Sequence, residues 1–182
     1  MYPVAHVVVA SGAAWSAERV VRRLFRQRGA DATNEQAEAN RPSLFDYRFV
    51  ALGALLPDII DKPLAWFFLG DRVEDNHLFA HTLLFALILA LPGLYLALRG
   101  NPLLISLACG VIAHLICDPV FREPRTLLWP LYGWTFHSTY GKGNGLLVNL
   151  TLDFVLGSLG LFVLWRQWRA GRLWDLILSG ET

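Results

Sequence analysis

Two long apolar segments joined by only three residues constrain the fold of this chain more than any other feature. The segments are Thr82–Leu98 and Pro102–Cys117, and only Arg99-Gly100-Asn101 lies between them. So short a connection leaves two helices only an antiparallel arrangement, with the start of the first beside the end of the second. The sequence therefore predicts a helical hairpin whose two open ends meet.

The composition suggests a membrane protein. The chain is 54% hydrophobic and 17% charged, with a mean hydropathy of +0.40, and such values are typical of membrane proteins. Leu146–Trp165 is a third apolar segment, and all three segments are close to the length that a membrane span requires. A fourth, Phe49–Leu69, contains Pro57 and Pro63. Because proline interrupts helices, we expect this segment to be discontinuous or re-entrant near Pro57.

The remaining segments complete a prediction of one domain. Val4–Trp15 is too short to span a membrane but extends as a helix through Arg28, and Gly29 ends it. A polar loop is expected at about 30–43 and a long connection at about 119–145. The predicted fold class is all-α, a polytopic membrane helical bundle forming a single integral membrane domain over 1–182. Its expected location is a membrane, and its expected partners are membrane lipids. The net charge of +1 gives no reason to expect a nucleic-acid partner.

Three pairs of ionisable residues lie in or beside these apolar segments. His77 and His81 are four residues apart, as are His114 and Asp118, and Asp58 and Asp61 are three apart. Side chains at these spacings share one face of a helix, so each pair could reach one cation. Charge within a membrane needs a partner or a water-filled cavity, and the hairpin brings two of the pairs to one end. The pattern predicts a shared metal site.

Each of these residues also has a structural interpretation. The histidines at 77 and 81 could be interfacial residues that bond to water or backbone, and Asp58 could cap a helix that restarts after Pro57. His6 is a lone histidine on an apolar face, which is more often a hydrogen-bonded core residue than a ligand. The pattern leaves the roles of His137 and Asp153 open.

The ligand types favour hydrolysis over other chemistry. The sequence has no Gly-rich phosphate loop, no Ser-His-Asp arrangement and no Gly-x-Ser-x-Gly elbow, so serine catalysis is poorly supported. Mixed histidine and aspartate ligation suits a divalent metal, zinc first and manganese as the alternative. Such a metal lowers the pKa of bound water to near 7 and makes hydroxide available at neutral pH.

Taken in order, these motifs resemble the membrane-bound metal-dependent hydrolase family, which includes the LexA-binding, inner-membrane-associated hydrolases. The resemblance covers roughly residues 1 to 140 and depends on the order and spacing of the motifs. It is carried by His6, Leu55-Leu-Pro-Asp58-Ile-Ile-Asp61, His77-x-x-x-His81-Thr82, His114-x-x-x-Asp118 and Leu127-Leu-Trp-Pro130. The chain departs from the family pattern at Asp58-Ile-Ile-Asp61, where many members have Pro-Asp-x-Asp, and at Asn76, where His-Arg-Gly is more common.

The resemblance implies a location in the inner or plasma membrane of a prokaryote, a metal site and roles for its residues. The implied ligands are His6, Asp58, Asp61, His77, His81, His114 and Asp118. The spacing of His114 and Asp118 is also distantly similar to part of the trinuclear zinc site of zinc-dependent phospholipase C enzymes. That similarity implies hydrolysis of a phosphodiester, with Asp58 and Asp118 as the catalytic residues and a lipid headgroup as a possible substrate.

Three functions are therefore compatible with the sequence. The first is a membrane metal-dependent hydrolase acting on a phosphoester or lipid-derived substrate. The second is a non-catalytic membrane protein in which a structural metal or polar network holds the helices together. The third is a metal or ion transporter, since intramembrane histidine and aspartate also line translocation paths.

Overall fold

Every regular element that the structure describes is helical. The computed structural model describes residues 3–28, 43–69, 77–118, 123–134, 136, 145–169, 171 and 178. Its α-helices are α1 (Pro3–Arg28), α2 (Tyr47–Leu64), α3 (Leu83–Leu98), α4 (Leu103–Cys117), α5 (Pro124–Leu127) and α6 (Gly145–Arg169). A π-helical turn (Ala65–Leu69) follows α2, and a 3-10 helix (Phe79–His81) precedes α3. The all-α prediction is confirmed.

The predicted hairpin and the predicted N-terminal helix are both present. α3 and α4 are joined by 99–102 and pack against each other. Gly100 has φ +87°, a left-handed conformation that glycine adopts without steric cost. α1 continues from Pro3 to Arg28 as one helix. α4 is the central helix of the bundle, because α1, α2 and α3 all pack against it.

The prediction of a break near Pro57 is wrong. α2 runs without interruption from Tyr47 to Leu64 and includes both Pro57 and Pro63. A proline removes one backbone hydrogen bond, and here tertiary packing keeps the helix continuous. Pro57 is fully buried, and the preceding turn is pressed against α4. The helix changes form only after Leu64, where the π-helical turn begins.

Small residues allow α2 and α4 to approach closely. A Cβ added to Gly53 would lie 2.1 Å from the carbonyl oxygen of Leu107, and one added to Gly110 would lie 2.2 Å from that of Val50. Ala54 and Ala113 are buried in the same core. Side chains this small let helix backbones touch. The close contact holds the two helix backbones together one to two turns before their ionisable residues.

The polytopic part of the predicted fold class is not supported. No helix in the described ranges is both long and apolar enough to cross a membrane. α3 and α4 have 16 and 15 residues. At a rise of about 1.5 Å per residue they are about 24 and 22 Å long, against a hydrocarbon core of about 30 Å.

Some sequence-based predictions fall on residues outside those ranges. Of the polar loop at 30–43, only residue 43 is described, and of the connection at 119–145 only 123–134, 136 and 145 are described. His137 and the side chain of Asp153 also lie outside the described residues.

Candidate metal centre

The ionisable residues of four helices converge at one end of the bundle. α1 contributes one residue from its first turn, and α2 contributes one from its second half. The end of α4 and the segment around the 3-10 helix contribute two each. Three groups of side chains each place one ligand atom within 4.8 Å of the others. The groups are His6 with His114 and Asp118; Asp58 with His81 and His114; and His77 with His81 and Asp118. Each pair of groups shares one residue, so the six side chains form a single cluster.

His77 and His81 meet through a turn instead of along a helix. The prediction that both side chains share one face of a helix is wrong, because α3 begins only at Leu83. Thr82 caps that helix by accepting a hydrogen bond from the N–H of Phe85. His81 ends the 3-10 helix, and the rings of His77 and His81 lie 4.5 Å apart. The 3-10 turn therefore brings the two imidazoles together.

His114 and Asp118 meet at the end of α4. His114 is in the last turn, and Asp118 is the C-cap residue just beyond the helix. The imidazole Nε2 of His114 lies 3.5 Å from Oδ2 of Asp118. Both residues are buried. The spacing of four residues predicted this contact correctly.

Hydrogen bonds outside the cluster fix the orientation of two imidazoles. Nδ1 of His81 lies 2.7 Å from a carboxylate oxygen of Asp61, and Nδ1 of His114 lies 2.6 Å from the carbonyl oxygen of Ala54. A carboxylate and a carbonyl only accept, so both Nδ1 atoms carry the hydrogen. In a neutral imidazole with Nδ1–H, Nε2 has a free lone pair.

These two Nε2 atoms face each other. They are 3.1 Å apart, and both residues are fully buried. Two lone pairs at this distance repel unless a cation or a shared proton lies between them. The pair His81 and His114 is therefore arranged as two ligands to one positive centre.

His6 brings a third buried imidazole to the cluster. Its side chain is 1% exposed, and neither ring nitrogen makes a hydrogen bond in the described part of the chain. Nε2 lies 3.5 Å from Oδ1 of Asp118, and the ring lies 4.0 Å from that of His114. A buried polar atom without a hydrogen bond is costly. A cation bound by His6 would remove that cost.

Asp118 presents its two oxygens to different histidines. Oδ1 faces His6, whereas Oδ2 lies 3.3 Å from Nε2 of His77 and 3.7 Å from Nε2 of His81. A carboxylate arranged in this way can serve cations on both of its sides. The cluster therefore has donor atoms for more than one ion.

The protonation states suit cation binding. Burial, followed by repulsion from His114, lowers the pKa of His6 to about 4. Burial also lowers the pKa of His81, despite the opposing hydrogen bond to Asp61. Burial raises the pKa of Asp118, but contacts with His114 and His77 lower it more, so the carboxyl has a pKa well below its usual range. At neutral pH the imidazoles of His6 and His81 are thus neutral, and the carboxyl of Asp118 is ionised.

The two aspartates of α2 differ in their surroundings. Oδ1 of Asp58 lies 3.7 Å from Nε2 of His81, and its Oδ2 pairs with Nζ of Lys62 at 2.6 Å. Asp61 is fully buried and belongs to none of the three ligand groups. Its oxygens instead accept hydrogen bonds from Leu78, Ala80 and His81.

Two features of the site could not be identified from the sequence. The carbonyl oxygen of Ala54 orients His114, and a backbone acceptor leaves no mark in the residue pattern. Aromatic side chains also gather beside the 3-10 helix, where Phe79 contacts the rings of Trp129 and Phe136, and Trp129 contacts Trp134.

Comparison with known proteins identifies a family. Residues 1–180 match the family described as YdjM inner membrane protein. No curated protein and no solved structure shows significant similarity to the chain. The family match supports the predicted location in the inner membrane of a prokaryote. It does not itself indicate hydrolase activity or similarity to zinc-dependent phospholipase C.

Proposed function

We propose that this chain, which belongs to the YdjM inner membrane protein family, is a metal-dependent hydrolase that acts on a phosphoester or lipid-derived substrate at the inner membrane. The proposal has two parts, a divalent metal centre and a hydrolytic reaction. Each part has its own support and its own test.

One observation carries the metal centre. The facing Nε2 atoms of His81 and His114, 3.1 Å apart, have their Nδ1 atoms bonded to acceptors and need a positive charge between them. His6, Asp58, His77 and Asp118 place further ligand atoms around this pair. Histidine and carboxylate ligands suit zinc, with manganese as the alternative.

The ligand set also suits hydrolysis. A bound divalent ion lowers the pKa of a water molecule and polarises a phosphoryl oxygen. Asp58 directs Oδ1 toward the cluster, where it could bind the metal and orient a metal-bound water. Lys62 is about half exposed and holds the other oxygen of Asp58, so its ammonium group could attract an anionic phosphoester. Asp118 acts as the central anionic ligand, and these roles make Asp58 and Asp118 the proposed catalytic residues.

Exposed apolar residues near the site support a substrate in the lipid layer. Trp66, Phe67 and Phe68, which follow α2, are each more than 70% exposed. Aromatic side chains are enriched where membranes meet water. α3, which begins next to His81, exposes a continuous apolar face that includes Leu87, Ile88, Leu91, Leu94 and Leu98. We propose that this face contacts lipid and that the metal centre lies near the headgroups.

The alternatives predict different behaviour. A structural metal would hold the helices together without cleaving any substrate, so removal of its ligands would unfold the bundle. A transporter would need ligands distributed along a path, whereas the described ligands lie at one end of the bundle. Hydrolysis therefore has more support than transport.

The first experiment measures metal content by elemental mass spectrometry on protein purified in detergent. The wild type is compared with a double variant, His81→Ala with Asp118→Asn, and with Asp46→Asn, which lies at the other end of α2 and keeps a capping side chain. Zinc or manganese in the wild type and in Asp46→Asn, lost in a double variant that still elutes as a folded species, supports the metal centre. Negligible metal in all three after metal-replete purification rejects it.

The second experiment tests hydrolysis. The metal-loaded wild type is assayed with a soluble chromogenic phosphodiester and with phospholipid vesicles, and Asp58→Asn is the comparison. Turnover that Asp58→Asn reduces by about 10²-fold or more supports the hydrolase. Stoichiometric metal with no turnover on either substrate, together with unfolding of the double variant, supports the structural alternative instead.

A further inference from the structure

Asp61 is fully buried and differs from the other acidic residues at this end of the bundle. Oδ2 accepts hydrogen bonds from the backbone N–H of Leu78 at 2.7 Å and of His81 at 3.2 Å, and Oδ1 accepts from Ala80 at 3.1 Å. Oδ2 also lies 2.7 Å from Nδ1 of His81. Three backbone donors and one imidazole therefore surround this carboxylate.

These hydrogen bonds leave Asp61 poorly placed to bind a cation. A carboxylate oxygen has about two lone-pair sites. Oδ2 meets three donors, from Leu78 and His81, and Oδ1 accepts from Ala80, so little of the carboxylate is left for a cation. In addition, its side chain belongs to none of the three groups with mutually close ligand atoms. The sequence had suggested Asp61 as a metal ligand. The geometry instead favours a role in which Asp61 orients a ligand and does not itself bind the metal.

We propose that Asp61 is a positioning residue, which fixes His81 in the Nδ1–H tautomer and attaches the 78–81 segment to α2, and that it does not bind the metal. Its negative charge stabilises the hydrogen on Nδ1, so the lone pair on Nε2 points toward His114. The three backbone hydrogen bonds hold the turn that carries His81. This inference rests on the proposed metal centre, although its main test does not require a metal.

The hydrogen bonds from the backbone explain why an acidic residue is needed. Leu78, Ala80 and His81 present N–H groups that point to one place, and a charged acceptor forms stronger bonds with them than a neutral one. An asparagine at position 61 has the same shape but only one acceptor oxygen, and its amide group can donate to Nδ1 of His81. Asp61→Asn therefore permits the opposite tautomer, in which Nε2 carries the hydrogen and cannot bind a metal.

The test begins with metal-free protein labelled with ¹⁵N-histidine in detergent. The His81 signals are assigned by their absence from His81→Ala. We expect Nδ1 of His81 to carry a hydrogen in the wild type and in Asp46→Asn, while Nε2 is unprotonated or shares one proton with Nε2 of His114, and we expect Nδ1 to lose its hydrogen in Asp61→Asn. An Nδ1 without hydrogen in the wild type, or an unchanged Nδ1 in Asp61→Asn, overturns the proposal. The wild-type spectrum tests the proposal by itself, even if Asp61→Asn does not fold.

Metal binding then separates a positioning residue from a ligand. We expect Asp61→Asn to weaken zinc binding by about 10- to 100-fold, as loss of an outer hydrogen-bond partner does at other metal sites. At saturating Co²⁺ its visible spectrum should match that of the wild type, since the ligands are the same, whereas Asp58→Asn should change the spectrum. A changed spectrum in Asp61→Asn identifies Asp61 as a ligand and overturns the proposal. If the wild type binds no zinc, the proposed function fails. The tautomer measurement still tests whether Asp61 keeps the hydrogen on Nδ1 of His81.

Discussion

Nε2 of His81 lies 3.1 Å from Nε2 of His114, and both residues are fully buried. The two histidines are 33 residues apart in the chain and meet because the α3–α4 hairpin returns to its starting point. Their Nδ1 atoms donate to Asp61 and to Ala54. The orientation of each imidazole is thus set by a group outside the pair, and the two lone pairs face each other as a result.

This arrangement predicts that a divalent metal stabilises the folded protein. Zinc at 100 times its dissociation constant should add about 2.7 kcal/mol to the free energy of unfolding, and a chelator should remove this gain. His114→Gln should lose most of the zinc-dependent increase because one of the two facing nitrogens is gone. Thermal unfolding in detergent, followed by circular dichroism with and without zinc, measures both effects. Equal melting temperatures of the wild type in zinc and in chelator would contradict the prediction.

Lys62 is expected to weaken metal binding. Its ammonium group pairs with Oδ2 of Asp58 at 2.6 Å, so it competes for a ligand and repels a cation. Because the lysine is 46% exposed, solvent screens part of this effect. Lys62→Met should therefore tighten zinc binding only a few-fold, and less at high salt. Zinc titrations at low and high ionic strength check this, and weaker binding in Lys62→Met would show that the lysine supports the site instead.

The close contact between α2 and α4 predicts that an added methyl group is not tolerated. The Cβ of Gly53→Ala would lie 2.1 Å from the carbonyl oxygen of Leu107, which is part of a helix backbone and cannot move alone. We expect a loss of about 1–3 kcal/mol or more in the free energy of unfolding. Gly12→Ala in α1 is the matched control, since nothing lies within 4 Å of its Cβ, and it should stabilise by about 0.5–1 kcal/mol.

The same glycine variant should also affect the metal site. Gly53 precedes Ala54, whose carbonyl oxygen accepts the hydrogen bond from His114. Separation of the two helices would lengthen that bond, so Gly53→Ala should weaken zinc binding, whereas Gly12→Ala should not. Denaturant unfolding and zinc titration of both variants provide the two measurements. Unchanged stability in Gly53→Ala would show that the helices can separate freely.

Glu18 predicts a dependence of stability on pH that is independent of the metal. Burial raises the pKa of this carboxyl, but hydrogen bonds from Arg22, Leu44, Ser43 and Tyr47 lower it below its usual value. A lowered folded-state pKa contributes stability above the unfolded value, near 4.3, and that contribution is lost as the pH falls through the folded pKa. Glu18→Gln should therefore be less stable at pH 7 by about 1–3 kcal/mol. Its melting temperature should fall less than that of the wild type between pH 7 and pH 3, and parallel pH profiles would contradict this assignment.

Residue spacing was sufficient to predict that the ionisable residues of the candidate metal centre meet at one end of the bundle. The short connection after Leu98 required an antiparallel hairpin, and this topology brings His81 and Asp118 to one end whatever the details of packing. The spacing of four between His114 and Asp118 also predicted their contact, because one helical turn separates them. These inferences depend on helix geometry, which is the same in every protein.

Packing decided the features that the sequence did not predict. Pro57 indicated a break, but burial of the proline and the close contact of α2 with α4 keep the helix continuous. The sequence could not show that Asp61 accepts hydrogen bonds from three backbone N–H groups, because the direction of these groups depends on the 3-10 turn. The acceptor for His114 is a carbonyl oxygen, which every residue has. Residue spacing therefore predicted which residues meet, whereas tertiary packing determines the hydrogen-bond partners of each.

The turn at Gly100 has a practical consequence. It lies at the opposite end of α3 and α4 from His81 and Asp118, and an added Cβ at Gly100 would meet no atom within 4 Å. A label or a carrier domain inserted there would be separated from the ligands by the length of one helix, about 22–24 Å, because the two helices lie side by side. The intact protein can thus be immobilised, made visible or enlarged for microscopy from that end, while the other end remains accessible to metal and substrate.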